Sequence, residues 1–256
     1  MPVIYDTTPI IPVPNETVLA KYMDLTKFLS LLINESLFFC RLDKLEDQFE
    51  GTTAKKNYEG RINYQKQLRK DGFFEVPPTD NEIITSVESL FEFDRKIKGL
   101  ICISCWNKFE TESAALWKIY SDYGKGIMIK TSAGRLENSL QQVNEEIYLS
   151  SVNYIDHEND WMPDSNTTYP IIHKNEAYSY ETEVRLFHQV DSDATWTYDW
   201  SKEKVQEGKY FKINLDILIE EIIVGPFSPV WFIEIIHSLT DKYSLKVPVR
   251  KSKLSR

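Results

Sequence analysis

Tyr180-Glu181-Thr182-Glu183-Val184-Arg185 alternates strictly. The alternation predicts a strand from Tyr180 to Gln189 in which Tyr180, Thr182 and Val184 share one face and Glu181, Glu183 and Arg185 the other. Glu181 and Glu183 would then stand roughly 6–7 Å apart on one rigid element. Two carboxylates beside a guanidinium suit work on a cationic transition state. They also suit a solvent-exposed ladder of charges, and the hexapeptide alone does not separate the two.

Working outward, Asp24 predicts the N-cap of a helix from Leu25 to about Asn34, with Leu25, Phe28, Leu29, Leu32 and Ile33 on one face. Strands are expected at Ser36 to Arg41, Leu100 to Trp106, Ile127 to Lys130, Ile147 to Tyr154, Lys209 to Ile213, Glu221 to Val224 and Lys246 to Val249. Helices are expected from Thr111 or Ser113 to about Tyr123, ended by Gly124, and from Ser132 to about Gln142. Two more should run from about Pro170 to Ala177 and from Val230 to Tyr243. Residues 1–17, with Pro2, Pro9, Pro12 and Pro14, read as an extended arm. Residues 18–256 read as one domain, carrying a charged helical insertion at about 55–98 broken at Gly72 and Pro77-Pro78. Helices and strands mix without a regular βαβ rhythm. The expected fold class is therefore α+β, with mixed, mainly antiparallel central sheets flanked by helices.

The net charge of -9 speaks against general affinity for nucleic acid or anionic membrane, and 42% hydrophobic content supports a packed core. The basic residues near the end, Lys246, Arg250, Lys251, Lys253 and Arg256, read as a solvated tail. Three cysteines form no disulfide framework, the first residues lack a signal-peptide pattern, and no stretch reads as a membrane span. A soluble cytoplasmic protein is expected.

Several residues carry both a functional and an ordinary reading. Lys21, just before the first helix, suits phosphate binding or a plain surface cation, and Tyr22 beside it suits the core. Ser104 suits a ribose contact or a satisfied buried hydroxyl. Tyr120 and Tyr123 extend an aromatic helix with Trp117, mostly core, one of them suited to floor a pocket. Asp47, Phe49, Glu50 and Gly51 read as a structural acidic turn. Cys102 and Cys105 point to opposite faces of a strand and do not converge on zinc, and no metal is expected. His188 differs in strand parity from Glu183.

In order, Lys21-Tyr22-Met23, Asp47 to Gly51, Ile103 to Trp106, Leu116-Trp117 with Tyr120, Gly124 to Ile129, Tyr180 to Arg185 and Ile223 to Pro226 resemble the bacterial and phage family named domain of unknown function 2971. The opening and closing segments are also similar to ADP-ribosyltransferases, whose arginine-directed members carry Glu-x-Glu where this chain has Glu181-Thr182-Glu183. These resemblances imply an ADP-ribosyltransferase-like core, NAD as substrate without a metal, and a setting of phage defence or counter-defence. They make Glu183 the catalytic carboxylate and Glu181 the group that orients or deprotonates the acceptor, a protein or nucleic acid. Lys21, Tyr22, Ser104, Tyr120 and Arg185 would bind the nucleotide, Arg185 alternatively keeping Glu183 ionised. Lys21 stands where family members usually carry His; it can bind phosphate but cannot stack as imidazole does. The competing reading is a non-enzymatic nucleotide- or protein-binding regulatory module. A metal-dependent hydrolase using Asp47, Glu50, Glu181 and Glu183 comes third.

Overall fold

The computed structural model describes residues 3–4, 9–47, 49–121, 124–190 and 206–255. The first half holds β1 (Val3–Ile4), β2 (Val18–Asp24), α1 (Leu25–Asn34), β3 (Ser36–Arg41), α2 (Lys55–Lys70), α3 (Asp80–Ile97), β4 (Ile101–Lys108) and α4 (Ala114–Tyr120). β5 (Gly126–Ser132), α5 (Ala133–Ser139), β6 (Ile147–Ser151), β7 (Asn153–Ile155), α6 (Tyr169–Ile172) and β8 (His173–Asn175) follow. The chain continues with β9 (Glu183–Gln189), β10 (Gly208–Lys212), α7 (Leu215–Leu218), β11 (Glu221–Val224), α8 (Val230–Lys242) and β12 (Val249–Lys251). Tyr123, expected to end the α4 helix, and Gln48 of the acidic turn lie outside the described residues.

Ten strands form one sheet in the order β1-β6-β9-β4-β2-β5-β11-β12, with β3 and β10 branching from β4. Apart from β1–β6 and β11–β12 the pairs are antiparallel, which gives the expected mainly antiparallel α+β fold. β7 and β8 make a separate parallel pair. Among the described residues no helix is long and apolar enough to cross a membrane.

β4 is where the sheet divides. One edge pairs with β9 along Ile101 to Asn107. The other edge is shared: Cys102 and Ile103 pair with β3, and Asn107 and Lys108 pair with β2. Between these, Ser104 to Trp106 face a gap between two diverging strands. The main core covers one side of the sheet, with Leu19, Met23, Cys102, Trp106, Val184 and Leu186 packed under α1, α5 and α8. The opposite side carries two smaller clusters, one around Ile103, Ile171 and Phe187, the other around Ala20, Tyr22, Trp117 and Met128.

Local chemistry explains most element ends. The Asp24 carboxylate accepts from Lys27 N at 2.8 Å and starts α1 where expected. α1 buries Phe28, Leu31 and Leu32, whereas Ile33, expected inside, is 63% exposed. The helical insertion is α2 and α3, and Thr79 with Glu82 forms a capping box for α3. α2 buries only Asn57, whose side-chain amide exchanges hydrogen bonds with the Met162 backbone. A Cβ at Gly60 would sit 2.6 Å from the Trp161 ring, so glycine permits that contact. The strand expected over Ile147 to Tyr154 breaks at Val152, and its end joins β8 instead of the main sheet. The helix expected to reach Ala177 stops at Ile172, and the last strand is Val249–Lys251.

The basic tail is not simply solvated. The Glu112 carboxylate, with 4% of its side chain exposed, accepts from Arg250 Nη1 at 3.1 Å, Lys253 N at 3.0 Å and the Ser252 hydroxyl. Arg250 also pairs with Glu221 at 2.8 Å. These bonds clasp the end of the chain to the start of α4. Glu112→Ala leaves the buried Ser252 hydroxyl without its acceptor and releases Arg250 and Lys253 N, and is expected to cost about 1–2 kcal/mol, read as a lower urea midpoint at unchanged m-value.

Candidate functional site

The hexapeptide is not one strand. Glu176–Glu181 forms a 3-10 turn, Thr182 adopts φ 44°, and the strand begins only at Glu183. A β-branched residue in the left-handed region costs on the order of 1–3 kcal/mol and persists only where its surroundings hold it. Here Thr182 N donates to Ser179 O at 3.2 Å, and Thr182 O accepts from Lys108 N at 3.0 Å. Asn107 Nδ2 donates to Glu181 O at 2.9 Å, and Glu183 N donates to the Tyr154 hydroxyl at 2.8 Å. This reversal, not strand alternation, brings the two carboxylates together.

They meet on Lys174. Its ammonium is 2.6 Å from Glu181 Oε2, 2.9 Å from Glu183 Oε2 and 3.7 Å from Glu50 Oε2. Arg185 donates through Nε to Glu183 Oε1 at 2.8 Å and pairs through Nη1 with Glu50 Oε1, also at 2.8 Å. Nη1 further donates to Ile171 O. Glu50, Lys174, Glu181, Glu183 and Arg185 are all buried. The acids therefore do not form an exposed ladder.

Register fixes which side they occupy. Asn107 lies opposite Glu183 and Cys105 opposite Arg185, so these four side chains share one side of the sheet. That side carries the two smaller apolar clusters. Gly51, at φ +65°, closes the Asp47–Glu50 turn that delivers Glu50; a Cβ there would meet Leu42 Cδ2 at 2.5 Å.

Charge decides the state of the cluster. Three carboxylates meet the Lys174 and Arg185 cations in the network, with the Lys21 charge acting on Glu183 and the Lys98 charge on Glu50. Burial pushes the Glu183 carboxyl up, but the Arg185 and Lys174 charges outweigh it and leave it depressed to about 2. Burial alone would lower the Lys174 ammonium, yet Glu183 and Glu50 hold it well above its ordinary value. Burial raises the Cys105 thiol, and the Glu183 charge raises it further, so it stays protonated.

The sign of the pH dependence follows. A carboxyl depressed in the folded state stabilises fully above its unfolded value of about 4.3, and the contribution vanishes as pH falls through the folded value. Glu112 is also depressed, because the bonds from Lys253, Ser252 and Arg250 outweigh its burial. Stability is expected to fall steeply from about pH 4.3 towards pH 2. Glu183→Gln should flatten that slope in a pH series of thermal melts.

The remaining expected residues divide. Tyr120 reaches the cluster: its hydroxyl donates to Glu181 Oε1 at 2.5 Å, and its ring is 37% exposed. Burial first, then the bond to Glu181, holds its phenol protonated. Lys21 does not share the Glu183 side. It sits in phase with Leu19 and Met23, and its ammonium turns into the gap beside β4, donating to Cys105 O at 2.7 Å and Ser104 Oγ at 3.2 Å. Burial lowers it, and the Glu183 charge partly offsets that. Ser104 is buried as the acceptor of this bond. The indole N–H of Trp106, whose ring centroid is 5.3 Å from Lys21 Nζ, is buried without a protein partner. Tyr22 is core: its ring meets Trp117 edge-on at 4.9 Å, and its hydroxyl accepts from Ser113 N. Arg185 has no exposed surface, so a diphosphate cannot reach it as the structure stands.

Two members escaped sequence reasoning. Glu50 reads as part of an ordinary turn or of the third-ranked metal site, and Lys174 follows Ile171-Ile172-His173 in a stretch with no motif. Their signal is tertiary. Among the described residues no group of three His, Cys, Asp or Glu is arranged to hold a metal ion. An open recess lined by Trp117, Lys118, Gly126, Gly225 and Phe227 includes none of the acids.

A family model described as protein of unknown function (DUF2971) matches residues 116–186, a stretch running from Leu116-Trp117 through the hexapeptide. That meets the family resemblance over less than half of the chain. No curated protein matches the sequence. Similar solved structures include DarT from Thermus sp. 2.9 in complex with NAD+, at 10% identity and TM-score 0.38, covering 94% of this chain and 98% of that one. The same protein in complex with ADP-ribosylated ssDNA gives 12% identity and TM-score 0.37, covering 96% of this chain and 98% of that one. At such identity and score the likeness does not extend to the position of any side chain.

Proposed function

We propose that the chain cleaves the nicotinamide–ribose bond of NAD and transfers ADP-ribose to an acceptor or to water, with Glu183 as the catalytic carboxylate. The observation that carries the reading is the buried convergence of Glu181 and Glu183 on the Lys174 ammonium, with Glu181 bonded to the part-exposed Tyr120. A fixed anionic site lowers a barrier when positive charge develops beside it, as it does on a ribosyl oxocarbenium ion.

In the step proposed, the bond between the ribose carbon and the nicotinamide nitrogen breaks and its electron pair leaves with neutral nicotinamide. Glu183 faces the cationic carbon. Glu181, reached through Tyr120 at the exposed rim, takes the proton of the attacking acceptor hydroxyl or water. Substrate entry requires the rim at Tyr120 and Tyr180, the latter 46% exposed, to admit the ribose. A setting in phage defence or counter-defence belongs to the same proposal.

A second reading is a non-enzymatic binding module in which the ion network is scaffold. Its support is the full burial of Arg185 and Glu183. Incubation with NAD separates the two, with free nicotinamide quantified in the presence of single-stranded DNA or protein acceptors. The enzymatic reading expects release above the rate without protein. No release with any acceptor, while the nucleotide still binds, supports the module.

A further inference from the structure

We infer that Lys174 is the positioning residue of this site: its ammonium clamps Glu181 and Glu183 together and supplies the charge that they share. The inference rests on the proposed function for its catalytic meaning, but its electrostatic part stands without turnover.

The geometry carries it. Lys174 comes from β8, outside the main sheet, and its ammonium bridges one oxygen of each acid. Glu183 has a second cation in Arg185. Glu181 does not: among the described residues its one ion-pair partner is Lys174, and its other oxygen accepts from Tyr120. Three carboxylates this close cannot all remain charged out of water without compensation. Arg185 compensates Glu183 and Glu50, so removing the ammonium favours a proton on Glu181. A protonated Glu181 could no longer take the acceptor's proton, and the acids would lose their common anchor.

The groups facing the ammonium are few. Main-sheet strands present Glu183, Arg185 and Cys105, with Lys21 in the gap beyond. The turns present Glu50, Glu181 and Tyr178, whose ring centroid is 4.9 Å from Nζ. α4 contributes Tyr120 through Glu181, β7 contributes Tyr154 through Glu183, and Lys98 faces Glu50. Burial raises Tyr154 to about 12, and the other phenols are raised as well; in the acid range the carboxyls are joined by His157, which faces Asp47 and Glu50 and is lowered by burial.

The test is a carbon-13 NMR titration of side-chain glutamate carboxyls in wild type, Lys174→Met, Lys174→Gln and Lys174→Arg, with a pH profile of nicotinamide release beside it. In Lys174→Met and Lys174→Gln one cluster carboxyl should titrate about one to three units higher, and Glu181→Gln in the same background should remove or reassign that signal. The acid limb of kcat/KM should move up in step, and Lys174→Arg should restore both. Gln keeps a donor of similar reach, so it remains readable where Met does not fold. Unmoved titrations in a folded Met or Gln variant would overturn the inference. A wild type that releases no nicotinamide, with the NMR shift intact, would defeat the enzymatic reading and leave the electrostatic clamp standing.

Discussion

Glu183→Gln is expected to lower nicotinamide release on the order of 10²- to 10³-fold while leaving a folded protein. The rate falls because a neutral amide offers a cationic carbon only a dipole. The fold survives because the amide oxygen can still accept from Arg185 Nε, although the stabilisation supplied by the ionised carboxylate is lost. A thermal melt should fall but remain cooperative. The loss should appear in kcat more than in KM, since the carboxylate acts on charge that develops only in the transition state. Unchanged turnover in a folded variant removes Glu183 from the mechanism.

The largest effect on stability is expected from Arg185→Met, about 3–5 kcal/mol, read by urea unfolding. Arg185 has no exposed surface and ties Glu183, Glu50 and the Ile171 carbonyl together. Its removal leaves three buried carboxylates with the Lys174 ammonium as their remaining clamp. Lysine should not rescue, because a single ammonium lacks the planar fork that reaches two acids and a carbonyl. Glu50→Gln in the Met background should recover part of the loss, a coupling measurable in a double-mutant cycle. A change below about 1 kcal/mol in Arg185→Met would mean that the network carries little of the fold's stability.

The sequence was informative where local chemistry governs. Asp24 and Ser132 cap helices where expected, and the strands at Ser36–Arg41 and Glu221–Val224 fall on their expected residues. The break between α2 and α3 follows Gly72 and the proline pair. The hexapeptide misled because alternation cannot register a left-handed residue. Thr182 has none of the usual tolerance for that conformation and is held there by Ser179 and Lys108. Glu181 and Glu183 do converge, but through a turn and a lysine nine residues before Glu183 that no spacing rule selects. Lys21 shows the limit from another side: strand parity sets its side of the sheet, but the gap its ammonium enters exists only because β2 and β3 divide one edge of β4.

The most direct measurement is a crystal structure after soaking with ADP-ribose. The account predicts the ribose bearing the free anomeric carbon within hydrogen-bond reach of the Glu183 carboxylate, with the Tyr120 rim displaced to admit it. Ligand bound elsewhere at high occupancy, with the Lys174 network closed and untouched, would contradict it.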